Sequence, residues 1–235
     1  MRQALVLVLC SLILGGAASA AVLLSADFEG LTLDAAVPMG GAAVGQPYNV
    51  IQTQAMVRNA PMSSTCLELQ DTLDYGTGTV YFDFLNELEV TSGIVTISVD
   101  LWFHMLQGYE VYVRESHGAG SAFTSLSFTG VGTIRCNDAA GNIGVIGSYE
   151  AGRLHNLRIV FDQDAGTYDV LLDDVTLVDD RAHGITAHGV GGVLFATSHD
   201  VDLDGTFSID NLLVTADSIT AAESATFSAV KRLWR

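Results

Sequence analysis

Basic residues are scarce in this chain: 10 Lys and Arg stand against 27 Asp and Glu, for a formal net charge of −17. A surface so acidic repels nucleic acid and anionic lipid, which excludes both as partners. Cysteine is scarce as well, three in 235 residues, and no Cys-x-x-Cys or Cys/His spacing points to zinc. Proline occurs only at Pro38, Pro47 and Pro61. No apolar run is long enough to span a membrane. Signatures of catalysis are missing too: there is no Gly-x-Ser-x-Gly elbow for a serine nucleophile and no Glu-x-Asp-x-x-Glu strand to pair carboxylates.

What is present begins at the N-terminus. Arg2, the apolar stretch Ala4–Leu14 and the small-x-small triplet Ala18-Ser19-Ala20 have the layout of a secretory signal peptide. Leu9 before Cys10, with the apolar run continuing beyond it, argues against lipid attachment. Residues 1–20 are therefore expected to be a leader, and the mature protein to be secreted, extracellular or periplasmic. Loss of Arg2 with the leader takes the net charge to −18.

The dominant period of the mature chain is two. In Ile94–His104, Val95, Ile97, Val99, Leu101 and Phe103 take one face, opposite Thr96, Ser98, Asp100, Trp102 and His104. Gly108–Glu115 and the stretches around His155–Phe161 and Tyr168–Leu172 repeat the alternation. Such segments are strands with one face buried, the habit of antiparallel sheets. Further strands are expected at Val22–Phe28, Val50–Val57, Thr65–Leu69, Thr79–Phe84, Ala122–Phe128, Val190–Ala196 and Phe207–Val214. Asp162-Gln163-Asp164-Ala165-Gly166 reads as a hairpin turn, and Leu31–Pro47, without a period, as a long loop. About a dozen short strands without an interior helix predict an all-β, two-sheet antiparallel sandwich over residues 21–217. Phe227, Val230 and Leu233 or Trp234 fall at helical spacing, so 218–235 is expected to be a tail with a short helix. That tail would cap the sandwich or attach the protein to a cell surface.

Two stretches carry a resemblance. LHNLRIVFDQDAGTYDVLLD over Leu154–Asp173, and GTFSIDNLLV over Gly205–Val214, resemble the closing hairpin and strand of the concanavalin A-like (laminin G-like) jelly-roll superfamily. Ala26-Asp27-Phe28-Glu29-Gly30 resembles the way such domains open. The resemblance implies a jelly roll in a bacterial exported protein. It leaves function open among lectins, adhesins, glycanases and lyases.

Asp200-Val201-Asp202-Leu203-Asp204-Gly205 offers three carboxylates at alternate positions before a glycine, the start of a calcium loop. Its twelfth position is Asn211 where an EF-hand needs Glu, so the alternatives are a calcium site on Asp200, Asp202 and Asp204 or a plain acidic turn. His183, His188 and His199 match no helical ligand face and read as surface-loop histidines. Glu87 and Glu89 are placed on one strand face without a third acid. Cys66 and Cys136 can pair as a disulfide in an oxidising compartment or stay as buried thiols. For glycan recognition, Trp102 and Tyr112 sit on the polar faces of consecutive strands beside His104, Glu110 and Arg114, a platform on which sugar rings would stack. The function expected is a non-catalytic, carbohydrate-binding adhesion module, with calcium as its cofactor and a glycan or polysaccharide as its partner. A polysaccharide hydrolase or lyase using Tyr112, Arg114 and His104 is the alternative, and a structural extracellular component the third.

Overall fold

The computed structural model describes residues 20–71, 77–115, 122–185, 187–197 and 205–217. The expected leader, the Asp200, Asp202, Asp204 loop, His199 and the expected C-terminal helix lie outside the described residues. Fifteen strands are formed among those described: β1 (Ala21–Ala26), β2 (Asn49–Ile51), β3 (Thr53–Arg58), β4 (Cys66–Asp71), β5 (Thr79–Asp83), β6 (Ile94–Phe103), β7 (Tyr109–Arg114), β8 (Ala122–Phe128), β9 (Thr133–Asp138), β10 (Gly141–Ser148), β11 (Leu154–Asp162), β12 (Thr167–Leu172), β13 (Val175–Ala182), β14 (Gly192–Thr197) and β15 (Thr206–Ala216). They build the antiparallel two-sheet sandwich that the alternation implies. One sheet runs β13-β12-β11-β6-β15-β4-β3, with β1 also on β15; the other runs β10-β9-β8-β7-β14-β5-β2. We call them the eight-strand and seven-strand sheets. No helix among the described residues is long and apolar enough to cross a membrane.

The inward side chains of both sheets share one core. Phe103 of β6 is its hub, with ring centroids 5.1 Å from Tyr109, 4.7 Å from Phe128, 4.6 Å from Tyr149 and 6.1 Å from Phe207. Tyr109 and Phe128 belong to the seven-strand sheet, so this cluster joins the two layers.

The residues that carry the superfamily resemblance do backbone work. In Phe207-Ser208-Ile209-Asp210-Asn211, Phe207 and Ile209 point into the core. Asn211 then takes a left-handed conformation (φ 51°), one that Asn tolerates better than most residues. Its N–H donates to Asp210 Oδ1 at 2.7 Å. This bulge resets the alternation so that Leu212 and Val214 return inward, and it divides β15 between two partners, β4 before it and β1 after it. The hairpin β11–β12 turns where Asp162 Oδ1 accepts from the N–H groups of Asp164 and Ala165, with Gly166 at φ 71°. In the opening motif, Glu29 accepts from the N–H and hydroxyl of Thr65, tying the first strand's exit to the start of β4.

Several expectations need correction. The single strand expected at Val50–Val57 is two, because Gln52 (φ 54°) passes the chain from the seven-strand sheet at β2 to the eight-strand sheet at β3. Strands β9, β10 and β13 were not expected; β10 and β13 are edge strands, and glycines in the first and acids in the second erase the period of two. Residues Leu85–Glu87 form a 3-10 turn with Asn86 and Glu87 at positive φ, not a strand. Cys66 and Cys136 are free and buried, not paired. Cys66 is in β4 under the 60–64 segment, its thiol donating to Ala60 O. Cys136 is in β9 of the other sheet, facing Thr124 and Tyr168. His183 is no surface residue: it is 2% exposed, with its ring 5.0 Å from that of Phe123.

Candidate functional site

The expected glycan platform does not assemble as one surface. Strands β6 and β7 are consecutive but lie in different sheets, so their outward side chains emerge on opposite sides of the sandwich. Trp102 and His104 go with the eight-strand sheet; Glu110, Tyr112 and Arg114 go with the seven-strand sheet.

On the eight-strand face the polar side chains hold one another. Trp102 is flanked by Ser208 of β15 and Leu154 of β11. The Nε2 of His104 lies 3.1 Å from Ser208 Oγ and 3.7 Å from Glu68 Oε2. A Ser-His-acid triad needs the serine and the acid on different ring nitrogens, so this trio is not one. Ser208 is also fully buried, and burial holds the His104 imidazole below its ordinary value against the raising influence of Glu68. Asp100 accepts from Asn156 and Asn211, each at 2.9 Å. Asp210 is 1% exposed beneath Ser64, which donates to it, and burial raises its carboxyl above the usual range.

On the seven-strand face the register lines up Asn49, Tyr81, Leu194, Tyr112, Ser125 and Asn137 across β2, β5, β14, β7, β8 and β9. Tyr48, 46% exposed, meets Tyr81 edge-on with centroids 6.3 Å apart. The Tyr81 ring crosses Gly192 of β14, where a Cβ would fall 2.2 Å from its hydroxyl oxygen. That hydroxyl donates to the carbonyl of Glu115 at 2.9 Å. Arg114 stacks on Tyr112, its guanidinium carbon 5.0 Å from the ring centre. Tyr112 donates to Glu110, which also accepts from Ser127 at 3.3 Å. Burial, and then the bond to Glu110, push the Tyr112 hydroxyl up to about 12. Tyr112 is therefore a neutral donor at physiological pH and Glu110 an occupied acceptor.

Where β7 ends, Glu115 meets two loop residues. Its carboxylate is 3.0 Å from His188 Nδ1, and that nitrogen is 4.0 Å from Glu89. A cavity of about 270 Å³ opens beside them, lined by Glu115, Phe123, Ala139, Gly184, Ile185, Ala187 and His188. The sequence shows no spacing that joins Glu89, Glu115 and His188, since each comes from a different connection. Tyr48 and Tyr81 carry no local signal either: the first follows a loop without a period, and the second sits in the apolar run Val80-Tyr81-Phe82. A link between Tyr81 and Tyr112 requires knowing that β14 lies between β5 and β7.

No protein-family model and no curated protein matches the chain. Solved structures do. The catalytic domain of a GH131 β-glucanase from Podospora anserina superposes with a TM-score of 0.57 at 13% identity, covering 85% of this chain and 98% of that one. A carbohydrate esterase from the Shiga toxin-encoding bacteriophage phi24B gives 0.56 at 11%, covering 85% and 100%. A sialidase gives 0.55 at 15%, covering 77% of this chain; the chain spans only 18% of that protein's length. At such identities the likeness establishes the fold alone: a two-sheet antiparallel β-sandwich.

Proposed function

We infer that this is an exported, non-catalytic module that binds a neutral glycan on the outer face of its seven-strand sheet. The observation that carries the reading is the pair Tyr48, exposed, and Tyr112, half-buried, on one sheet face with the buried Tyr81 packed between them, bordered by Asn49, Asn137 and Arg114. Sugar rings stack on such rings while amides, hydroxyls and a guanidinium take up their hydroxyl groups. Charge narrows the ligand class. Arg114 lies among Glu110, Glu115 and Asp83, so the neighbourhood is net acidic and a polyanionic glycan is disfavoured. The carbohydrate-active enzymes of the same fold support a saccharide as ligand, by analogy of fold alone.

Two observations favour binding over turnover. The set Tyr112, Arg114 and His104 is divided between opposite faces, and a Tyr112 hydroxyl raised to about 12 is a poor proton acceptor near neutrality. Calcium on Asp200, Asp202 and Asp204 remains part of the proposal as an ordering ion. The test is a panel of neutral and acidic polysaccharides titrated against the purified protein, with calcium and then with a chelator. Saturable binding to neutral glycans without new reducing ends or unsaturated products is expected. Product formation would overturn the non-catalytic reading, and a blank panel would overturn the glycan reading.

A further inference from the structure

We propose that Glu89, Glu115 and His188 form a binding site for a first-row divalent cation of the zinc type. The proposal stands apart from the glycan reading and needs no sugar. One ring nitrogen of His188 and one carboxylate oxygen from each glutamate lie within 4.8 Å of one another. Metal bonds of about 2.0–2.2 Å at tetrahedral angles place neighbouring donors ~3.4 Å apart. The observed separations, 3.0 Å from Nδ1 to Glu115 and 4.0 Å to Glu89, bracket that spacing. An imidazole nitrogen with two carboxylates suits zinc and its neighbours better than calcium or magnesium, which prefer oxygen alone. Two carboxylates and a neutral imidazole also match the charge of a divalent ion. Three protein ligands leave a fourth coordination position for water or a further ligand, and a cavity lined in part by Glu115 and His188 adjoins them.

The three donors are held together from behind. Val90 and Val190 exchange both backbone hydrogen bonds, at 2.8 and 3.0 Å, so the residues next to Glu89 and close to His188 are clamped. Gly189 makes the clamp possible: a Cβ there would stand 2.5 Å from the carbonyl oxygen of Val90. Gly191 then donates to Arg114 O at 2.8 Å, which ties the same loop to the end of β7 beside Glu115. Three distant chain segments are thus locked before any ion arrives, which lowers the ordering cost of binding. The competing account is an ion pair between a protonated His188 and the glutamates, and it predicts no metal uptake.

The experiment is a calorimetric titration of the tag-free, chelator-stripped protein with zinc chloride at pH 7.5, repeated on H188A, E115Q and H104Q. Cobalt substitution supplies a second readout, because its visible bands report a nitrogen and oxygen ligand field. We expect one equivalent of zinc to bind the wild type. Affinity should fall at least about tenfold in H188A and E115Q and stay unchanged in H104Q, whose histidine is on the opposite face. No uptake by the wild type, or equal affinity in H188A and E115Q with unaltered circular dichroism, would overturn the site. Failure of the glycan panel would leave the zinc result standing.

Discussion

The outer faces of the two sheets carry similar residue types, an aromatic or two among acids, amides and a histidine, but they use them differently. On the eight-strand face, Asp100 is held by Asn156 and Asn211, Asp210 by Ser64 and Asn211, and Ser208 by His104. The 60–64 segment lies over part of it, which is why Asp210 and Ser208 are fully buried on a nominally outward side. On the seven-strand face, Tyr48 and Tyr112 stay at least partly exposed with Tyr81 buried between them, and a cluster of two glutamates and a histidine lies where β7 ends. One face is closed by its own side chains; the other is the face on which the proposed glycan would sit. Polar residues on a strand's wet side therefore say little until the sheet that carries them is known.

The comparison can be broken at several strengths. The largest effect tests whether the faces are independent of the core that joins them. Phe103→Ala removes the hub ring between the sheets and should lower stability by about 3–5 kcal/mol in chemical denaturation, with both faces lost together. If the faces unfolded separately, the single-core description would be wrong.

A smaller effect tests the clamp at one edge of the sandwich. Asp138 of β9 accepts from Tyr168 of β12 and Arg181 of β13, each at 2.9 Å, and so crosses between the sheets. Burial opposes its ionisation, yet the bonds from Arg181 and Tyr168 win and hold its carboxyl below the usual value. A carboxylate whose folded pKa is depressed stabilises the protein above its unfolded pKa, near 3.9, and loses that contribution as the pH falls through the folded value. Asp138→Asn should therefore cost about 1–3 kcal/mol at pH 7, and the gap to wild type should close below about pH 4 in thermal melts. A gap that is independent of pH would sink the ion-pair account.

Next come the faces themselves. Tyr112→Ala should weaken glycan binding at least about tenfold, ~1.4 kcal/mol, while leaving the melting temperature within a few degrees. The smallest effect is His104→Gln, which removes one contact to Ser208 on the held face. It should shift stability by about 0.5–1.5 kcal/mol and leave glycan affinity unchanged.

How much of this could be read beforehand follows the same division. Alternation in Ile94–Phe103 and Tyr109–Arg114 located strands β6 and β7 and their inward residues, because burial of one face imposes a period of two. The resemblance in Phe207–Asn211 and Leu154–Asp173 pointed to the sandwich, and its residues prove to be bulge and turn residues of the backbone. Pairing was not legible. Consecutive strands usually neighbour one another, so Trp102 and Tyr112 were expected on one surface, whereas the chain crosses between sheets after Phe103. The burial of His183 was not legible, and the choice between a disulfide and two buried thiols at Cys66 and Cys136 stayed open, because neither burial nor the distance between two segments is written in local spacing. Glu89, Glu115 and His188 meet only through loop closure, and β10 was hidden because Gly141, Gly144 and Gly147 blur its alternation.

The most direct test of the central claim is a paired affinity measurement on one neutral glycan from the panel, comparing wild type with Tyr112→Ala and Trp102→Ala. Loss of binding in Tyr112→Ala with retention in Trp102→Ala is the predicted result. Retention in Tyr112→Ala with loss in Trp102→Ala would place the ligand on the eight-strand face and contradict the account.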